Sequence, residues 1–262
     1  MKHLYEKVDK REKPEFIFGL RAIIEAIEAG VTIDRVLLRK DLSGDLAREL
    51  MTKIKEYGVV SQRVPVEKLN RITMKNHQGA VALISPVPYH NLDEVVTSLY
   101  EEGRVPLLLL LDGITDTRNF GAIARTADCA GFDAIVIPSH GSATVTPEAV
   151  KTSAGALFYI PVCRVSDIAS AVRTLHDHGI SVAGASEKAK SDFTGVDFTV
   201  PSAIVMGAED TGISDSVLRL CDTLCAIPML GSIGSLNVSV AAGVMMYEAV
   251  RQRIAAGMRP AD

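Results

Sequence analysis

The sequence has no tryptophan, few aromatic residues (5%) and no apolar run as long as a membrane span. Its best candidate, VPLLLLLD at residues 105–112, is far shorter than the ~18 residues that a span needs, and it ends in an aspartate. The start of the chain, MKHLYEKVDKREKPE, is too highly charged for a signal peptide. We therefore expect a cytoplasmic protein that does not enter a membrane.

Cysteine is also scarce, and the four cysteines are widely spread. The closest pair, Cys221 and Cys225, is separated by four positions, so it does not form a C-x-x-C motif. Cys129 and Cys163 have no evident companion ligands in the sequence around them. We expect the four residues to be small buried hydrophobic side chains in a reducing compartment, and we expect no metal site.

The glycine-rich motifs of nucleotide-binding proteins are missing as well. No strand-like run leads into G-x-G-x-x-G or a Walker A loop, which disfavours a nicotinamide-dependent oxidoreductase and a phosphate-cradling loop. The net charge of −4 is unevenly distributed: residues 1–85 hold 16 Lys and Arg against 12 Asp and Glu, and the remainder holds 12 against 20. This asymmetry is compatible with an RNA-contacting N-terminal module on an acidic body.

The first part of the chain has the pattern of a small α/β domain. Residues 1–15 are charged, lack periodicity and are predicted to be flexible. Residues 16–85 alternate amphipathic stretches, such as FGLRAIIEAIEAG, with strand-like runs, such as GAVALIS. His77 and Gln78, just before that last strand, could contact RNA or form a turn. Residues 86–104 are framed by prolines and are predicted to be a linker.

Residues 105–262 have a stronger α/β pattern. Short, nearly continuous apolar runs alternate with helical stretches, which is typical of strands buried on both faces of a parallel sheet. We predict six strands flanked by helices on both sides, with ligands bound where loops leave the carboxyl ends of the strands. The six runs are VPLLLLLD, AIVIP, LFYIPVCRV, ISVAGAS, AIVMG and LCAIP.

Two loops at predicted strand ends combine polar residues with glycine. In the first, Asn119 stands where it could cap the helix FGAIARTADCAG, and Arg125 lies six residues further on. In the second, MGAEDTGIS, Gly207 and Gly212 permit close approach of the backbone to a ligand, and Glu209 is a carboxylate at the strand end. Each loop alone is equally compatible with a capped helix or an ordinary glycine turn.

A third loop, in IPMLGSIGSLN, leads into a helix of small residues. Ser235 and Asn237 offer a hydroxyl and an amide at the helix start, and Ser239 and Gly243 keep the helix slim enough for another backbone to approach. Three such loops after buried strands predict a single polar pocket walled by backbone.

The three motifs resemble those of the SpoU (TrmH-type) RNA 2′-O-ribose methyltransferases. NFGAIAR resembles the first motif, MGAEDTG the second, and IPMLGSIGSLNVSVAAGVMMYE the third. The N-terminal half, through FGLRAIIEAIEAG and HQGAVALIS, is similar to the small RNA-binding domain of the branch that methylates a guanosine ribose in 23S ribosomal RNA. The resemblance spans essentially the whole chain. It implies S-adenosylmethionine as cofactor, ribosomal RNA as partner, a C-terminal trefoil knot and a homodimer.

The resemblance also implies a role for each matched residue. Gly207, Ile227 and Leu236 would contact S-adenosylmethionine, mostly through main-chain atoms. The helix from Asn237 would supply much of the dimer interface, and each active site would be completed by the neighbouring subunit. The implied catalytic set is Arg125 as the catalytic residue, Asn119 fixing the first loop, Glu209 orienting it, and Ser235 and Asn237 shaping the third.

Arg125 has the central role in this implied mechanism. Because a guanidinium is very hard to deprotonate, we interpret Arg125 as stabilising a developing alkoxide while a substrate phosphate takes the proton. Glu209 is the second candidate for the base, although we expect its role to be structural. Two alternatives stay open: the same chemistry on a tRNA or another ribosomal nucleotide, and a non-catalytic RNA-binding factor in ribosome assembly.

Overall fold

The computed structural model describes residues 16–258, and the chain divides into two compact units. Unit 1 ends at Pro86 and unit 2 begins at Val87. Residues 1–15, which we predicted to be flexible, lie outside the described residues. None of the described helices is long and apolar enough to cross a membrane.

Unit 1 contains a four-stranded sheet in the order β1-β4-β2-β3, in which β2 and β3 are parallel and the other neighbours antiparallel. The predicted helices and strands are present, and β1 is additional, because its three residues are too few to show a period. The elements are β1 (Phe16–Phe18), α1 (Leu20–Glu28), β2 (Ile33–Arg39), α2 (Asp45–Glu56), β3 (Ser61–Val64), α3 (Val66–Ile72) and β4 (Ala80–Ile84).

Apolar spacing explains how unit 1 packs. Ile23, Ile24 and Ile27 recur at helical intervals and are buried in one core with residues of α2 and one face of the sheet. Leu69 of α3 packs on the opposite face, against Leu37 and neighbouring residues. Both faces of this small sheet are therefore used for packing.

His77 and Gln78 take part in the turn before β4. Gln78 has a positive φ of 53°, and its Oε1 accepts a hydrogen bond from the Leu20 amide at 3.1 Å, at the start of α1. The Nδ1 of His77 accepts a hydrogen bond from the Gly79 amide at 3.0 Å. Of the two roles considered from the sequence, the geometry favours the turn.

Unit 2 contains seven parallel strands in the order β7-β6-β5-β10-β8-β11-β9. This is the predicted parallel α/β sheet with one additional edge strand, β9, whose two residues are too few to give a pattern. The strands are β5 (Leu107–Asp112), β6 (Ala134–Pro138), β7 (Val162–Val165), β8 (Ser181–Ala185), β9 (Ser191–Asp192), β10 (Ser202–Gly207) and β11 (Thr223–Ala226).

Helices cover both faces of this sheet. Side chains of β5 alternate between the two cores, so that Leu109 joins one and Leu110 the other. The first core is closed by α5, α6 and α9, and the second by α4, α7 and α8. The helices are α4 (Leu92–Glu101), α5 (Thr117–Cys129), α6 (Pro147–Thr152), α7 (Ile168–Asp177), α8 (Asp215–Leu218) and α9 (Val238–Ala255).

Most of the segment predicted as a linker, residues 86–104, is an integral part of unit 2. Leu92 and Val96 of α4 are buried in the second core. The amide of His90 donates a hydrogen bond to the carbonyl of Val162 at 2.9 Å, which attaches the segment to β7. The prolines that suggested a linker therefore mark the entry to α4.

The end of α9 is fastened to the amino ends of β5 and β10. The Arg253 guanidinium donates hydrogen bonds at 2.8–2.9 Å to the carbonyl oxygens of Val105, Pro106 and Phe198. It also donates to the carbonyl of Val200 at 3.2 Å. One side chain thus satisfies backbone acceptors from two separate segments, at the edge of the sheet opposite the predicted ligand loops.

Candidate active site at the carboxyl edge of the large sheet

The first predicted loop joins β5 to α5. Asp116, and not Asn119 as we predicted, is the N-cap of α5: its carboxylate accepts hydrogen bonds from the amides of Arg118 and Asn119, both at 2.8 Å. The helix therefore begins one residue after Asp116, and Asn119 lies within its first turn. Because the cap is supplied by an aspartate, the Asn119 side chain is available for another contact.

Asn119 makes that contact with Asn237, 118 residues further along the chain. The Nδ2 of Asn237 donates a hydrogen bond to the Oδ1 of Asn119 at 3.1 Å. The Oδ1 of Asn237 caps α9 by accepting a hydrogen bond from the Ser239 amide at 3.0 Å. The starts of α5 and α9 are therefore joined side by side, which brings the first and third predicted loops together.

The second loop turns back immediately after β10. Ala208 and Gly212 exchange two backbone hydrogen bonds, at 3.1 and 2.8 Å, and Gly212 has a positive φ of 69°. A Cβ on Gly207 would lie 2.2 Å from backbone atoms of Gly212 and Ile213, so this position has no room for any side chain. The Asp112 carboxylate accepts a hydrogen bond from the Ser214 amide at 2.8 Å, which ties this loop to the end of β5.

A cavity opens between the second and third loops. Its lining includes the three residues assigned to the cofactor, Gly207, Ile227 and Leu236, together with Glu209 and Ser235. Three glycines from the two loops, Gly207, Gly212 and Gly234, lie in the wall. Apolar side chains complete the floor, including Met206, Ile213, Cys225 and Val238.

Cys225, which lies in this floor, is not a reactive cysteine. The residue is fully buried, and burial, with a smaller contribution from Asp192, raises its pKa to about 11. The thiol therefore stays protonated near neutral pH and offers an apolar surface instead of a nucleophile. Burial also raises the pKa of Cys163 to about 12, whereas Cys129 is exposed, contrary to our expectation of four buried cysteines.

A second cavity adjoins the first. It is lined by Asn119 and Asp116 from the first loop and by Gly113, Ile114 and Thr115 before them. Ala208, Glu209, Asp210 and Val238 line both cavities and form the wall between them. Glu209 is exposed, and among the eight predicted site residues it alone lines both cavities.

Arg125 lies away from both cavities. It is exposed, six residues after Asn119 on α5, a separation of roughly 240° around a helix with 3.6 residues per turn. Among the described lining residues of the two cavities, Arg125 does not occur. Of the eight predicted site residues, six line a cavity, Asn237 is bonded to one of those six, and Arg125 stands apart.

The structure adds a fourth loop that the sequence reading missed. Ser186, Glu187 and Lys188 follow β8 and line the first cavity. The strand ISVAGAS was predicted, but the residues after it contain no glycine turn and no cap that would have distinguished them. The predicted parallel sheet was a signal for this loop, because every parallel strand ends at the same edge and the carboxyl end of β8 lies beside that of β10.

Two family models match this chain. The SpoU rRNA Methylase family model matches residues 106–247, and the RNA 2′-O ribose methyltransferase substrate binding model matches residues 16–90. The two matches correspond closely to unit 2 and unit 1.

Similar proteins agree with these matches. A protein of Staphylococcus haemolyticus, named as a TrmH family tRNA/rRNA methyltransferase, is 37% identical over 90% of this chain and 95% of its own length. The SpoU methyltransferase AviRb from Streptomyces viridochromogenes, crystallised with AdoMet (S-adenosylmethionine), is 31% identical, covers 92% of this chain and 90% of its own, and has a TM-score of 0.58. An AdoMet-bound rRNA methyltransferase from Sinorhizobium meliloti is 26% identical over 90% of this chain and 86% of its own, with a TM-score of 0.57. The chain belongs to the SpoU family of RNA methyltransferases.

Proposed function

We propose that this protein transfers a methyl group from S-adenosylmethionine to the 2′-hydroxyl of a guanosine ribose in 23S ribosomal RNA, in the cytoplasm. The observation that carries the proposal is the cavity at the carboxyl edge of the sheet, which Gly207, Ile227 and Leu236 line together. The family model matched by unit 1 supports the ribose 2′-oxygen as the acceptor. The choice of guanosine and of 23S RNA rests on the resemblance of unit 1 to that branch of the family.

The first cavity has the chemistry that the methyl donor needs. Its floor of Met206, Ile213 and Val238 offers an apolar surface for the adenine ring. The carboxylates of Glu209 and Asp210 favour a positively charged sulfur nearby. When bound, S-adenosylmethionine supplies an electrophilic methyl group on a sulfonium, so no metal ion is required to activate it.

The second cavity is suited to the acceptor nucleotide. Asn119 and Asp116 line it with an amide and a carboxylate, and Thr115 adds a hydroxyl. These groups can hydrogen-bond a sugar or a base edge. Since both cavities share Glu209 and Asp210 as a wall, an acceptor placed in the second cavity lies next to the donor in the first.

Because Arg125 is exposed and lines neither cavity of its own subunit, we assign it to the site of a second copy of the chain. Its position on the exposed side of α5 is consistent with the homodimer that the resemblance implies, in which Arg125 of the partner subunit completes each site. Exposed apolar side chains on α9 and the loop before it support the presence of a partner copy. They are Leu230 (97% exposed), Ile233 (75%), Val240 (51%), Tyr247 (52%) and Ile254 (60%).

The residues of the chain then have distinct tasks. Arg125 of the partner subunit stabilises the negative charge that develops on the ribose oxygen as its proton leaves for a phosphate of the substrate. Asn119 and Asn237 hold the two helix starts together, so that the acceptor cavity keeps its shape. Glu209 separates the two cavities and, from the second loop, orients the first.

The course of the chain supports the trefoil knot that the resemblance implies. In the sheet, β11 lies two strands beyond β10. The helix α9 follows β11 in the chain, yet its first turn lies beside Asn119, on the other side of β10. Residues 227–237 therefore cross the carboxyl edge of the sheet, past the tightly folded loop after β10. Threading of this segment through a loop accounts for that crossing.

The direct test is to incubate the protein with labelled S-adenosylmethionine and total RNA, and to map the modified nucleotide. We expect label on a guanosine ribose of 23S RNA with the wild type, and none with Arg125→Ala despite unchanged donor binding. Arg118→Ala, on the same exposed side of α5, is the matched control and should keep activity. Label in tRNA would replace the substrate assignment, and donor binding without any transfer would identify a non-catalytic RNA-binding factor.

A second experiment tests completion of the site by the partner. Arg125→Ala removes the cation of the proposed site, and Gly207→Ala removes its donor cavity. If the cation and the cavity come from different subunits, mixing the two inactive variants restores activity in heterodimers, up to about one site in two. No recovery from a demonstrated heterodimer would show that Arg125 acts within its own subunit.

A further inference from the structure

The fourth loop is held firmly against the donor cavity. The Ser186 amide donates a hydrogen bond to the carbonyl of Cys225 at 2.9 Å, which attaches the loop to β11. The Ala189 amide donates to the carbonyl of Ser186 at 3.1 Å, and the Lys188 amide donates to the hydroxyl of Ser186 at 3.4 Å. These bonds form a turn that places Glu187 and Lys188 in the lining of the cavity.

Lys188 is the single cation among the described residues that line this cavity. The other charged lining residues are the carboxylates of Glu187, Glu209 and Asp210. The side chain of Lys188 is exposed and makes no ion pair with any residue that the structure describes. A lone ammonium among three carboxylates is therefore available to an anionic group of a ligand.

The donor carries one anionic group and two cationic ones. Its sulfonium and its ammonium are matched by Glu187, Glu209 and Asp210, and its apolar adenine is matched by the cavity floor. Its carboxylate needs a donor of hydrogen bonds, because a carboxylate surrounded only by other carboxylates would be repelled.

We infer, on the basis of the function proposed above, that Lys188 binds the carboxylate of the methionyl group of S-adenosylmethionine and thereby selects the intact amino-acid end of the donor. Lys188 is then a specificity-determining residue of the donor site. An interaction between a Lys ammonium and a carboxylate is charge-assisted and salt-sensitive, since both groups stay partly in contact with water.

The test compares S-adenosylmethionine with its decarboxylated analogue, which keeps the sulfonium, the amine and the adenosine. The binding constants of both are measured by calorimetry for the wild type, Lys188→Met, Lys188→Arg and Lys190→Met. Lys190 is the matched control because it is exposed in the same segment but is not among the residues that line the cavity. Thermal unfolding of each variant verifies that it is folded.

We expect the wild type to bind S-adenosylmethionine roughly tenfold more tightly than the decarboxylated analogue, the scale of one charge-assisted contact at a partly exposed site. Lys188→Met should abolish this preference by weakening only the binding of S-adenosylmethionine. Lys188→Arg should keep most of the preference, and Lys190→Met should be unchanged. The wild-type preference should decline as salt is raised.

Two outcomes would overturn the inference while leaving the proposed function intact. One is a wild type that binds both ligands equally well, and the other is a Lys188→Met variant that keeps the preference or loses affinity for both ligands to the same extent. Failure of the wild type to bind either ligand would instead overturn the proposed function. The readout is ligand binding, so it does not depend on identifying the RNA substrate.

Discussion

Asn237 is bonded in two directions at once: its Nδ2 donates to the Oδ1 of Asn119 at 3.1 Å, and its Oδ1 accepts from the Ser239 amide at 3.0 Å. One amide side chain therefore caps α9 and fastens it to the start of α5. Since α5 follows β5 and α9 follows the segment after β11, this contact joins parts of the chain that enter the site from opposite sides of β10.

The Asn119–Asn237 bond should appear as a coupling energy. Asn237→Asp keeps the acceptor that caps α9 but loses the donor to Asn119, and Asn119→Ala removes the acceptor of that bond. In a double-mutant cycle measured by urea unfolding, we expect a coupling of about 1 kcal/mol. Additivity within about 0.3 kcal/mol would show that the two side chains do not stabilise each other in solution.

Gly207→Ala should destroy the donor cavity. Its Cβ would lie 2.2 Å from backbone atoms of Gly212 and Ile213, so the loop must move by more than an ångström. We expect S-adenosylhomocysteine affinity to fall at least tenfold. Gly234→Ala is the matched control, because Gly234 lines the same cavity and a Cβ there meets nothing within 4 Å; its affinity should change less than about threefold.

Gly121→Ala should loosen the packing of α6 on α5. A Cβ on Gly121 would lie 2.7 Å from the Cβ of Thr152 and 2.9 Å from the carbonyl of Ala149, so the two helices must separate. Overpacking of this kind costs about 1–3 kcal/mol, more than the helix propensity that alanine gains. Gly195→Ala, at an open position, should change unfolding by less than about 0.5 kcal/mol. Equal stability of the two variants would contradict the close crossing.

Arg253→Met should destabilise unit 2 without altering the site directly. The substitution keeps an aliphatic stem but leaves the carbonyls of Val105, Pro106 and Phe198 without their donor. We expect a loss of about 2–4 kcal/mol in the free energy of unfolding, because several partly buried acceptors lose their partners together. Arg173→Met, on the exposed side of α7, should cost less than about 0.5 kcal/mol. A similar effect of both substitutions would mean that the Arg253 contacts contribute little.

The helices and strands of both units could largely be predicted because their signals are local. The continuous run LLLLL in β5 indicates a strand buried on both faces, and the spacing of Ile23, Ile24 and Ile27 in α1 indicates a helix, each within a few residues. β1 and β9 were missed for the same reason, since three and two residues are too short to show a period. The error at residues 86–104 came from reading prolines as a boundary, when the buried Leu92 and Val96 follow them.

The candidate site was predictable as a set of loops but not as a geometry. Gly207, Ile227 and Leu236, which the family resemblance assigns to the cofactor, line one cavity, as expected for loops that leave the carboxyl ends of neighbouring parallel strands. The cap of α5 was assigned to Asn119 because several polar residues precede the helix, and only the backbone shows that Asp116 takes that role. The Asn119–Asn237 bond and the lysine of the fourth loop depend on contacts between distant segments, which no local pattern encodes.

The wall made of Ala208, Glu209, Asp210 and Val238 serves the two cavities at once. A ligand that orders this wall from one side lowers the entropic cost of occupying the other side. Such linkage is reciprocal, so the gain in affinity has the same size whichever ligand arrives first. With the methyl donor and the nucleotide in the two cavities, as proposed above, we expect this strip of four residues to make their binding cooperative.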